Sequence, residues 1–119
     1  MYLALAGFIA SLVAHLAGYL GIERPFGVDP WPLHVGIFVV WLPAVLVAQR
    51  LSKDFPQKDM WKATLRGCPP WMEKTLYILF GYALLSFFAF MLFDTKGNEA
   101  TTVRGFSGHW LIFYYAAFA

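Results

Sequence analysis

Charge is scarce in this sequence. Of 119 residues only 13% are Asp, Glu, Lys or Arg, about half the share of an ordinary soluble domain. That deficit excludes a normal water-facing surface. The formal net charge of +2 is too small to hold nucleic acid. Cys68 is the one cysteine, which excludes an internal disulfide and any zinc or iron–sulfur centre built on cysteines. The long apolar runs also hold no Asp, Glu, Lys or Arg, apart from Glu73 and Lys74 in the first turn of the third run. Ion-coupled transport needs such a group inside the membrane to bind and release its ion. There is no phosphate-binding loop and no serine–histidine–acid pattern at a usable spacing. No carboxylate lies close to a histidine in sequence to orient it. The chain reads as no enzyme.

What the sequence has instead is apolar bulk, 60% hydrophobic and 19% aromatic. The expected fold is an all-α membrane protein, one domain over residues 1–119. Four transmembrane helices are predicted, at about 3–22, 33–49, 71–93 and 106–119. The first run lacks a basic leader and is too long for a signal peptide, so it is expected to stay as a span. Asp29 is the expected N-cap of the second helix, with Pro30 or Pro32 in its first turn, and Pro43 is expected to kink it. The last run covers only about 20 Å at 1.5 Å per residue, short of the roughly 30 Å hydrocarbon core. An incomplete sequence is the expected reason. Arg50, Lys53, Lys58, Lys62, Arg66 and Lys74 gather from the end of the second run to the first turn of the third, six of the nine basic residues. The positive-inside rule places that loop and the N-terminus in the cytoplasm. Within it Met60, Trp61, Thr64, Leu65 and Cys68 share one helical face, which predicts a short amphipathic helix at the membrane surface.

The first run carries Ala4, Gly7, Ser11, Ala14, Gly18 and Gly21 at steps of 3, 4, 3, 4 and 3. That is the 3.5-residue period of a helix seam. In lipid, small residues on such a seam let two backbones approach closely. His15 borders this face. Its ring nitrogens are costly in hydrocarbon unless bonded. Two readings stand open. Ser or Tyr hydroxyls of a neighbouring helix satisfy the ring, or His15 is a ligand. Two of His15, His34 and His109 would hold a haem b iron, and all three a zinc or copper ion. By helix rise, however, His15 lies about 7–9 Å deeper than the other two. No metal is therefore expected. His34 and His109 read more simply as interfacial hydrogen-bonding groups beside Trp31 and Trp110.

Ser11-Leu12-Val13-Ala14-His15 resembles the pigment-ligating turn of bacterial light-harvesting polypeptides. There a small residue four before the histidine leaves room for bacteriochlorophyll. The resemblance covers five residues and implies His15 as a pigment ligand. Leu33-His34-Val35-Gly36, Cys68-Pro69-Pro70-Trp71 and Phe106-Ser107-Gly108-His109-Trp110 come in an order that resembles small four-span proteins of bacterial inner membranes. That likeness implies a bacterial inner-membrane location and topology but no functional residues. The function expected is a non-catalytic accessory subunit of a larger membrane complex, with photosynthetic or respiratory electron transfer as host. Its partners would be the bilayer and other transmembrane subunits, not nucleic acid. The alternatives are a small electron carrier with haem b between two histidines and, third, a small-solute channel or transporter.

Overall fold

The computed structural model describes residues 2–93 and 99–119, with no side-chain detail at 61, 93 and 99–101. Among the described residues the chain is all helical: α1 (Tyr2–Tyr19), α2 (Pro32–Leu51), α3 (Met60–Thr64), α4 (Pro70–Phe93) and α5 (Glu99–Phe118), with 3-10 turns at Pro25–Gly27 and Gln57–Asp59. Three helices are long and apolar enough to cross a membrane: α1, α2 and α4.

The fourth span is corrected. The helix expected to begin near Phe106 begins at Glu99, so most of the expected loop over 94–105 is its first two turns; residues 94–98 lie outside the described residues. At 20 residues and about 1.5 Å each, α5 has the length to cross. It lacks the apolarity, because Glu99, Arg104, Ser107 and His109 lie along it.

Each helix end has a local cause. The backbone amide of Ile22 donates to the Ala17 carbonyl and that of Gly21 to Gly18. This is the glycine-terminated cap of a helix. Gly21 sits at φ +72° with open space around it, a conformation that costs residues with a Cβ. Asp29 is not the residue flanking α2, a place held by Trp31. Its carboxylate accepts the Trp31 amide at 3.0 Å, fixing the turn two residues earlier. Pro32 opens α2, and the helix runs on through Pro43. The short helix expected between the second and third runs is only the five residues of α3, with Ala63 buried.

α5 is the hub of the bundle. It packs against α1, α4 and α2, whereas the backbones of α4 and α1, and of α4 and α2, do not meet among the described residues. α1 and α4 run antiparallel to α5, with Gly7 beside Tyr114 and Gly105 beside Phe90. α2 runs parallel to it, His34 pairing with Trp110 and Trp41 with Phe113. Val103, Ser107 and Trp110 of α5 are fully buried. The outward side chains of α2 and α4 are large and apolar, including Phe38, Leu42, Leu46, Ile78, Leu85 and Leu92. Polar groups inside and apolar groups outside is the arrangement lipid favours, since hydrocarbon does not solvate a polar side chain.

Two close approaches hold α5 in place. The Tyr114 ring lies over the Gly7 backbone of α1, and its hydroxyl lies over Gly36 of α2. A Cβ at either glycine would collide with it. The same hydroxyl donates to the Leu33 carbonyl at 2.8 Å. On the α4 side Gly105 receives the Phe90 ring, and Gly108 faces Ser86 and Ala83. α5 thus carries a small-residue surface of its own, toward α4.

Candidate functional site

His15 is 4% exposed, where α1, α4 and α5 converge. Its Nδ1 lies 2.6 Å from Ser107 Oγ on α5, and its Nε2 hydrogen-bonds the Tyr82 hydroxyl on α4. Tyr82 continues to the Tyr19 hydroxyl at 3.1 Å. At the other end Ser107 Oγ donates to the Arg104 carbonyl at 3.1 Å. That last bond fixes the proton on the Nδ1 side, because a carbonyl only accepts and a serine has one hydrogen to give. Ser107 therefore accepts from His15 Nδ1–H. With the ring neutral, Nε2 accepts from Tyr82, and Tyr82 accepts from Tyr19. The chain runs in one direction, from Tyr19 through Tyr82, His15 and Ser107 to the α5 backbone. The Arg104 guanidinium lies 5.2 Å over the Tyr19 ring, which closes the outer end with a cation–π contact. The imidazole also meets the Tyr19 and Tyr82 rings edge-on, at 5.1 and 5.4 Å.

The other two histidines occupy different sides of α5. His34 on α2 accepts the Trp110 indole N–H at Nδ1, 2.9 Å away, among the Trp31 and Phe106 rings. His109 points toward α4, edge-on to Phe87 at 5.0 Å. Its Nδ1 is buried, and the acceptor beside it is the Gly105 carbonyl one turn back. The expected difference in depth is corrected. Because α5 starts at Glu99, His109 lies in its middle, and the partners of His15 and His34 are Ser107 and Trp110. By their places along α5, 107 to 110, the three imidazoles fall within about one helical turn but have different partners. No group of three His, Cys, Asp or Glu able to hold a metal occurs among the described residues. A haem using His15 would first have to displace Tyr82 from Nε2.

Of the seam residues, Ala4, Ser11, Ala14 and Gly18 are buried, and Gly7 is half-buried against Tyr114. Ser11 is fully buried one turn from His15, and its hydroxyl has no partner. Gly21 is corrected: it is exposed and outside α1, small because it caps the helix. Tyr19, Tyr82 and Ser107 were not among the expected site residues. The signal for them was generic: a buried imidazole calls for hydroxyls, and the sequence offers many.

No family model, no curated protein and no solved structure matches this chain.

Proposed function

We propose that the chain is a non-catalytic, membrane-embedded subunit of a larger membrane complex, with photosynthetic or respiratory electron-transfer assemblies as host. The observation that carries this reading is the bonding of His15. Among the described residues, the most buried histidine has both nitrogens engaged by hydroxyls, which makes it a lock between α1, α4 and α5. The large apolar side chains on the outer faces of α2 and α4 suit lipid and neighbouring helices alike.

The test is to extract the protein from its membrane in mild detergent, measure its assembly size, and record spectra before and after dithionite. The reading predicts a particle larger than one chain and no reduced-minus-oxidised band that disappears in His15→Leu. A haem band that is lost with His15 contradicts it and favours the electron carrier. The basic residues of 50–74 support a cytoplasmic N-terminus and middle segment in a bacterial inner membrane.

A further inference from the structure

The two helices that flank α5 without meeting each other, α2 and α4, leave a groove of about 320 Å³ between them. Its floor is α5 with His109 and Phe113. Trp41 of α2 and Tyr77, Phe80 and Ala83 of α4 are among its walls. Both walls belong to helices apolar enough to cross a membrane, so under that reading the groove opens toward the bilayer. Its lining is almost entirely apolar and rich in aromatic rings. Trp41 and Phe113 stand edge-to-face at 5.1 Å, ready to border a flat ring. Among the imidazoles, His15 and His34 are bonded to named partners. His109 lines the groove; its Nδ1 is buried beside the Gly105 carbonyl, which leaves Nε2 as the ring nitrogen open to a ligand.

We propose that this groove binds a lipid-soluble aromatic ring bearing an oxygen substituent, of the quinone–quinol class, with that oxygen on the His109 imidazole. An apolar pocket with a single polar anchor is the usual form of a small-molecule site. An acyl chain would fill the apolar walls but leave Nε2 without a partner. A single substituted ring fits the volume and supplies a hydrogen bond to Nε2. A neutral imidazole donates to a quinone oxygen or accepts from a quinol hydroxyl according to its tautomer. This inference goes beyond the accessory role above and does not use His15.

The experiment uses the full chain in lipid nanodiscs. Binding of a radiolabelled decyl-substituted benzoquinone is measured, oxidised and dithionite-reduced, against decylbenzene, which lacks the oxygens. Saturable binding of at least one redox form is expected, at least about tenfold tighter than decylbenzene. His109→Leu should weaken it about tenfold, and His109→Gln, which keeps a hydrogen-bonding group, should restore part of the loss. Leu84→Trp, at a wall position 41% exposed, should block the groove without entering the core. Circular dichroism confirms that each variant keeps its helices. Equal binding of quinone and decylbenzene, indifference to both His109 variants, or linear unsaturable uptake would each overturn the proposal in favour of lipid alone. So would sedimentation showing a dimer that Leu84→Trp dissolves, since a second copy would then occupy the groove.

Discussion

A buried imidazole between two hydroxyls is held by both, but the three groups are not equally replaceable. Removing the Tyr82 hydroxyl leaves His15 Nε2 without its partner. Removing the Ser107 hydroxyl leaves the Nδ1 proton without an acceptor. Each of Tyr82→Phe and Ser107→Ala should destabilise the bundle by about 1 kcal/mol, measured by reversible unfolding in mixed micelles. His15→Leu should cost less than either, because Ser107 keeps the Arg104 carbonyl and Tyr82 keeps Tyr19. A larger loss in His15→Leu than in both hydroxyl variants would show that the ring does more than tie helices together. The need for hydroxyl partners was legible from His15 itself, a ring that hydrocarbon cannot solvate. Which hydroxyls was not legible, since Tyr82 and Ser107 lie 67 and 92 residues away along the chain. Only the packing of α5 between α1 and α4 brings them together.

Among the helices, glycines separate the tight contacts from the open ones. Gly7→Ala and Gly36→Ala both drive a Cβ into Tyr114, and each should lower stability by about 2 kcal/mol. Gly81 lies in a helix with nothing near its missing Cβ. Gly81→Ala should therefore be neutral or stabilise by about 0.5 kcal/mol. Gly21→Ala should cost about 1 kcal/mol through its positive φ, with no steric partner involved. Unfolding midpoints of the four variants check the order. The period of 3.5 residues marked the α1 face that the structure buries. It ran one residue too far, because a small residue at a helix end serves the cap as readily as a seam. The start of α5 was hidden for a different reason. Apolar runs locate lipid-facing helices, and α5 is enclosed by three others. Its first turns need no apolar run, so Glu99–Gly105 read as loop.

For the whole molecule, the arrangement is a polar-bearing helix wrapped by three apolar ones. The apolar runs made α1, α2 and α4 legible in advance. The central place of α5 was not, because the order of helices along a chain does not say which of them lies in the middle. The basic segment between α2 and α4 gives a prediction at this scale. In a Cys68→Ser background, Lys58→Cys should react with a membrane-impermeant maleimide in inverted inner-membrane vesicles and not in intact spheroplasts. The reverse pattern would invert the proposed topology. The accessory role depends on that embedded bundle having no open ligand position at its most buried histidine.

That position is read most directly by nitrogen NMR of the histidine rings in ¹⁵N-labelled protein, with His15→Leu identifying the His15 signals. The predicted result is a neutral ring, protonated at Nδ1, with Nε2 accepting a hydrogen bond that Tyr82→Phe removes. A His15 ring protonated at Nε2, or a ring nitrogen shifted by a bound metal or pigment, would contradict the account.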